Sequence, residues 1–347
     1  MHTKRVVIIS SAAAAAIAAG VSWFSVRKLS LANRPATVEP LHADQSDATK
    51  VALIINPAKS MADEAIQAVR RVCSEAGLEP PLILETTPDD PGQDAAQKAL
   101  DAGCDTIVAA GGDGTIRAAA EVIEHSEATL GILPLGTGNL LARNVDIPLD
   151  DLHTCALIAV RGKVRGIDVG HMKLNLLNGE VTDHAFLVIA GVGTDADLFD
   201  ETDEKLKAKV GWLAYSEAGL RQLPGRRKRV SFKMSDEGWQ TRKVRSVLFA
   251  NCGKLQGIEL VPDARIDDGV LDAVVLSPRS MAGWTWIMLK TVFRARNKIP
   301  VMSIYPTTAV SLRCAEPMNT QIDGDPTGEV NELEVWVNHS ALRLRAR

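Results

Sequence analysis

Hydrophobic and polar positions alternate differently in three stretches of the chain. Residues 6–26 carry no charge and are bracketed by Lys4, Arg5, Arg27 and Lys28. Between residue 50 and about 161, apolar runs of strand length alternate with segments whose apolar residues recur every three or four positions. VALIIN (51–56) is a continuous apolar run ending at Pro57, as expected of a parallel strand covered on both faces. Ala65, Ile66, Val69, Val72 and Cys73 then share one helix face between 63 and 76, and Gly77 ends the pattern. LILETT, a helix over about 94–102, TIVAAGG, a helix from 115 to about 125, and TLGILPLG continue the alternation.

Past residue 161 the runs shorten: RGIDVGHMKL, HAFLVIAGVG, RVSFKM, VRSVLFANC, GVLDAVVL, TAVSLRCA and ELEVWV are separated by turn residues. That spacing predicts mainly antiparallel strands, with helical inserts over about 203–223 and 280–296. The expected fold class is therefore α/β plus mainly β. A parallel α/β domain spans 50–162, and a β-sandwich-like domain spans 163–347, its last strand free to return to the first domain. Residues 29–49, with Pro35, Pro40, Asp44, Gln45, Ser46 and Asp47, read as a linker. As a helix, the 21 residues of 6–26 would just cross a hydrocarbon core at about 1.5 Å each. Residues 1–28 are thus either an uncleaved membrane anchor or a secretory signal, whose small-residue pattern Ala16-Ile17-Ala18 supplies.

Composition narrows the function classes. A chain of 347 residues, 46% hydrophobic, can bury the cores of two domains. A net charge of −4 and 4% aromatic residues speak against a nucleic-acid partner. Cys73, Cys104, Cys155, Cys252 and Cys314 are odd in number and widely spread, which indicates neither a zinc site nor a disulfide framework.

Candidate chemistry gathers where the parallel strands end. In VAAGGDGT (108–115) an apolar strand enters a glycine turn: Gly111, Gly112 and Gly114 let backbone N–H groups approach an anion, and Thr115 is placed to cap the next helix. Asp113 sits awkwardly in such a turn. A carboxylate about 4 Å from a phosphate charge is opposed by roughly 4 kcal/mol at an effective dielectric near 20, so it needs a metal, a proton or a catalytic task. LPLGTGN (133–139) repeats the device with Gly136, Thr137 and Gly138. Two such loops in one sheet can make one cleft at the carboxyl ends of the strands. Much later, QIDGD (321–325) sets Asp323 and Asp325 around a glycine turn.

NPAKS (56–60), GGDGT, PLGTGNLLAR (134–143), DDGVLD (267–272) and QIDGD follow one another in the order of a known family. The chain resembles the diacylglycerol kinase catalytic-domain superfamily, bacterial lipid-kinase branch, over about residues 50–347. The resemblance implies ATP-dependent transfer of the γ-phosphoryl group to a lipid hydroxyl, with the nucleotide in the first domain and the lipid in the second. It assigns Asn56, Gly111, Gly112, Asp113, Gly114, Thr115, Gly136, Thr137, Gly138 and Asn139 to the nucleotide, and gives Asp113 the magnesium ion. Asp325 takes the place of the base, and Asp168 joins its network with Asp113. Asp268 and the carbonyl of Leu271 match a structural magnesium site.

The chain departs from the pattern twice: the base is usually a glutamate, and Leu140 stands where many diacylglycerol kinases carry an aspartate. Membrane lipid is the implied partner, and a homodimer is compatible with this reading. A chain that consumes ATP faces the cytosol, which favours an N-terminal anchor at the cytoplasmic side of the membrane. The basic run Arg226-Arg227-Lys228-Arg229 is a candidate contact for anionic head groups. Trp284, Trp286, Met288, Leu289 and Phe293 form a core helix or a lip of the lipid cleft, too short to span a bilayer. The rival enzyme reading is an NAD kinase, whose superfamily shares the GGDGT loop. A third is a non-catalytic nucleotide or lipid sensor.

Overall fold

Continuous apolar runs in the first half become parallel strands covered on both faces. The computed structural model describes residues 48–193, 226–234, 238–255, 258–292 and 297–347; the apolar segment 6–26, the linker up to residue 47, the insert expected over 203–223 and Phe293 lie outside them. β1 (Val51–Ile55), β3 (Thr106–Gly111) and β4 (Thr129–Pro134) are buried at every position, and β2 (Leu82–Glu85) forms the more open edge. They lie parallel in the order β4-β3-β1-β2. The connections are α1 (Ala62–Glu75), α2 (Gln93–Asp101) and α3 (Asp113–Ile123), with α4 (Leu140–Asn144) and α5 (Leu152–Arg161) after β4. Helix α1 buries Ala62, Ala65, Val69, Val72 and Cys73, so the spacing of three and four does face the sheet.

Antiparallel pairing dominates the remainder: β5 (Lys163–Leu176), β6 (Val181–Phe186), β7 (Ile189–Gly193), β8 (Lys228–Met234), β9 (Gln240–Val244) and β10 (Ser246–Ala250). The short ribbon β11 (Lys254–Leu255) and β12 (Ile258–Glu259) stands apart from the main sheet. β13 (Leu271–Leu276), α6 (Met281–Val292), β14 (Met302–Thr307), β15 (Ala309–Ile322) and β16 (Asp325–Ala346) complete the chain. Single strands here separate two cores. In β10, Leu248 and Ala250 face the core shared with the helices, whereas Val247 and Phe249 face a second core; in β13, Val274 and Leu276 oppose Leu271, Ala273 and Val275 in the same way.

β16 joins the two regions. It begins antiparallel to β15 and ends parallel to β4, pairing Arg343 with Thr129 and Leu344 with Leu130, so that fourteen described strands form one sheet. Arg345, 3% exposed, secures this seam by donating to the hydroxyls of Thr106 and Thr129 and to the carbonyl of Gly162. β5 follows β16 along most of its length, and the register slips between Asn338 and Leu342, where Ser340 adopts a φ of 51°.

Some local expectations are corrected. Helix α3 starts at Asp113 with Gly112 as its N-cap, so Thr115 lies inside the first turn and does not cap the helix. Its side chain packs instead beneath Gly111, whose Cβ, if present, would lie 2.6 Å from Thr115 Oγ1. The basic run enters β8, where the Lys228 ammonium donates to the carbonyl of Pro317. In α6, Trp284 packs against the first core and Ile287 is buried, while Trp286 and Leu289 are half exposed. No helix of the described residues is long and apolar enough to cross a membrane.

Candidate active site

Both glycine turns end neighbouring parallel strands, β3 and β4, and they meet glycine on glycine. A Cβ on Gly136 would fall 2.7 Å from the Cα of Gly112, a distance that excludes any side chain. Asn139 staples its own loop: its Oδ1 accepts from the Gly136 amide at 3.0 Å and its Nδ2 donates to the Gly136 carbonyl at 2.8 Å. It is 4% exposed with a φ of 47°. Arg143 Nε donates to the Gly138 carbonyl at 2.8 Å and closes the turn from behind. Thr137 stands exposed at the tip. Asn56 ends β1 beside them, its amide donating to the Ala110 carbonyl at 3.1 Å. A cleft of about 120 Å³ opens next to it, lined by Ile55, Pro57, Lys59, Ser60, Asp63 and Glu85 among others.

Asp113 links the two turns. Its Oδ1 accepts from the Leu140 amide at 2.6 Å, so this first residue of α3 also caps α4. Oδ2 occupies the space a side chain at Gly138 would need, 2.6 Å from that Cβ position. Burial drives its pKa up to about 6 against the pull of the Leu140 and Asn139 amides, and the charges of Asp323 and Asp325 push it further. The residue at position 140 is a buried leucine and brings no carboxylate to the turn.

The carboxylates of QIDGD arrive on the hairpin between β15 and β16. Ile322 pairs with Asp325, and Asp323 and Gly324 take φ values of 49° and 98°, as a two-residue turn requires. Asp323 is buried and holds the turn down: its Oδ2 accepts from the Leu187 amide and its Oδ1 from those of Val188 and Ile189, at 2.9–3.0 Å. Burial pushes its pKa up against Arg117 and those three donors. Asp325 stands over the first glycine turn, its Oδ2 3.7 Å from the Cβ position of Gly114 and 2.9 Å from Arg117 Nη2. Gly111, Gly112, Asp113, Gly114, Thr115, the Gly136–Asn139 turn and Asp325 are therefore brought together, with Asn56 beside them. Arg117 belongs to none of the sequence motifs, although its place four residues after Asp113 on a helix sets it on the same face.

Asp168 lies elsewhere in the network. It fills the β16 irregularity, accepting from Ser340 N and His339 Nδ1 through Oδ1 and from Gly269 N through Oδ2, at 2.6–2.8 Å. The Asn251 side chain bridges the carbonyls of Asp168 and Leu187, and the Leu187 amide in turn meets Asp323. Asp268 makes an Asx turn, Oδ1 accepting from Val270 N at 3.2 Å, and Leu271 begins β13 opposite Thr307. Among the described residues no three His, Cys, Asp or Glu side chains gather as a ready metal site.

Comparison with known proteins supplies the family. Residues 50–172 match the diacylglycerol kinase catalytic domain, and residues 188–345 match the YegS C-terminal NAD kinase beta sandwich-like domain. Over 308 residues the chain is 32% identical to a Pseudomonas aeruginosa protein named "Probable lipid kinase YegS-like", covering 86% of this chain and 94% of that one. It is 31% identical over 263 residues to the diacylglycerol kinase of Bacillus subtilis, covering 73% and 82% respectively. A crystal structure of a diacylglycerol kinase from Bacillus anthracis shares the fold, with a TM-score of 0.68 at 21% identity over 86% of this chain and 97% of that one. Carboxylates from two regions at a double glycine turn, together with these relatives, establish that the chain belongs to the diacylglycerol kinase and YegS-like lipid kinase family, phosphotransferases with an alcohol group as acceptor.

Proposed function

We propose that this chain transfers the γ-phosphoryl group of ATP to the hydroxyl of a membrane lipid of the diacylglycerol or sphingoid type. The observation that carries the reading is the meeting of Asp113, at the two glycine turns, with Asp325 on the hairpin from the other half of the chain. Asp325 accepts the proton of the lipid hydroxyl as its oxygen attacks the γ-phosphorus, and the bond from phosphorus to the bridging oxygen breaks to release ADP. The amides of the two turns hold the phosphates, the Asn139 staple keeping the second turn in shape. We assign Asn56 and the small cleft beside it to the rest of the nucleotide, as the family resemblance implies.

A magnesium ion suits Asp113, which is partly desolvated among other carboxylates and gains from a nearby cation. Magnesium commonly takes only one or two protein carboxylates, completing its shell with water and phosphate oxygens, so a three-carboxylate cage is not required. It would neutralise phosphate charge during transfer. For the second magnesium site, Asp268 and Leu271 offer a hairpin turn, and the family resemblance alone supports it. We place the reaction at the membrane surface because the acceptor is a lipid; exposed Trp286 and Leu289 on α6 and the cations flanking β8 support that placement.

Purified full-length chain incubated with ATP, magnesium and a panel of lipid alcohols should give a phosphorylated lipid by mass detection. Asp113→Ala and Asp325→Ala should each abolish the product. Full activity in both variants would overturn the site, and ATP binding without turnover across the panel would favour a sensor.

A further inference from the structure

We infer that Arg117 is a positioning residue that clamps Asp325 for proton transfer and offsets the shortness of an aspartate at the base position. This rests on the phosphotransfer reading above. Arg117 lies one turn into α3 after Asp113, and its guanidinium grips the hairpin at two points: Nη1 donates to the Ile322 carbonyl at 2.8 Å and Nη2 to Asp325 Oδ2 at 2.9 Å. Ile322 and Asp325 are the closing pair of the two-residue turn, so one planar group fixes both the turn and the carboxylate.

The Asp325 side chain is 57% exposed and that of Arg117 21%. An ion pair this open contributes little to stability. Its effect is geometric: it joins residues 208 apart in sequence and holds an exposed carboxylate above Gly114, beside the first glycine turn. An aspartate reaches one methylene less far than a glutamate, so its carboxylate has less freedom to find the hydroxyl unaided. The positive charge of Arg117 also acts on buried Asp323, which anchors the same turn, and on neighbouring His184. Both terminal nitrogens of the guanidinium thus engage the hairpin.

Steady-state kinetics on the full chain separates these roles, because misplacing a reacting group by about 1 Å can cost on the order of 100-fold in rate. Arg117→Gln should lower kcat 10- to 100-fold, by order of magnitude, while KM for ATP changes less than about twofold. Arg117→Lys, which keeps the charge but loses the fork, should recover part of kcat. In Arg117→Gln, adding Asp325→Glu should also recover part of it through the longer reach. Thermal unfolding of Arg117→Gln within a few degrees of the parent confirms that the fold is kept. Unchanged kcat in Arg117→Gln, or a loss confined to KM for ATP, would overturn the clamp. A wild-type chain that phosphorylates no lipid would overturn the phosphotransfer reading itself, whatever the Arg117 variants do.

Discussion

Asp113 holds its charge at a cost to folding. Its carboxyl is driven from 3.8 up to about 6 by burial, with further pressure from Asp323 and Asp325. An acid whose folded pKa lies above its unfolded value favours the native state only when protonated. The penalty is therefore absent below about pH 4, grows as pH rises from there to about 6, and stays constant above. Asp113→Asn keeps an acceptor for the Leu140 amide and removes the charge, so it should be more stable than wild type by about 1–2 kcal/mol at pH 7.5, with the gap closing towards pH 4. Chemical denaturation at several pH values measures this, and the same variant should have lost phosphoryl transfer. Gly136 makes a steric prediction. The obstacles to a Cβ there are the Gly112 Cα at 2.7 Å and, at 3.0 Å, the Oδ1 of Asn139, itself tied to the Gly136 amide, so Gly136→Ala should cost about 1–3 kcal/mol and weaken ATP binding at least tenfold by calorimetry. Unchanged affinity would show that the contact between the turns does not shape the phosphate site.

Helix α3 is the element on which the site is assembled. Its first residue is Asp113, its second turn carries Arg117, and its C-cap Glu124 makes a charged cluster far from the phosphate turns. Glu124 Oε2 meets His171 Nε2 at 2.9 Å, Asn338 Nδ2 donates to Oε1, and the His171 ring stacks on Trp336 with centroids 5.2 Å apart. Burial pulls the His171 pKa down, but Glu124 and Asp183 outweigh it and hold the imidazolium above its ordinary 6.5. Burial likewise raises Glu124, and the His171 and Asn338 hydrogen bonds bring it below 4.5. The His171 contribution is therefore full below about pH 6.5 and fades as pH rises through its raised pKa, while that of Glu124 is full above about 4.5 and fades in acid. His171→Gln should cost about 1 kcal/mol near pH 5.5 and clearly less at pH 9, read from urea midpoints. An equal loss at both values would show that the stacking contact, and not the ion pair, is what matters.

At the scale of the molecule, β16 makes one sheet of two regions. Leu342 and Leu344 are buried, and Arg345 takes up the hydroxyls of Thr106 and Thr129 beside β4. Residues 48–162 expressed alone would leave β4 as a bare apolar edge. They should show no cooperative calorimetric transition, whereas the whole chain should unfold with the first region stabilised by the last strand. A cooperative transition in the fragment would refute this dependence.

Much of the architecture was legible because it is local. The apolar runs of β1, β3 and β4, the three-and-four spacing of α1 and the period-two strands of β10 and β13 each reflect which side chains face a core, and near neighbours record that directly. The glycine turns, too, were readable from the backbone freedom they need, and five ordered motifs pointed to the family. Long-range pairing was not legible in the same way. That Asp325 returns to Gly114, that Arg117 meets it across 208 positions, and that Asp168 fills the irregularity of β16 at Ser340 depend on how strands far apart in the chain cover one another's edges. Local patterning specifies the elements and the presence of a glycine turn with a carboxylate in it. Only the tertiary structure decided which carboxylates and which arginine share that turn, because a side chain's partners across a sheet follow from strand order and register, which local periodicity does not carry.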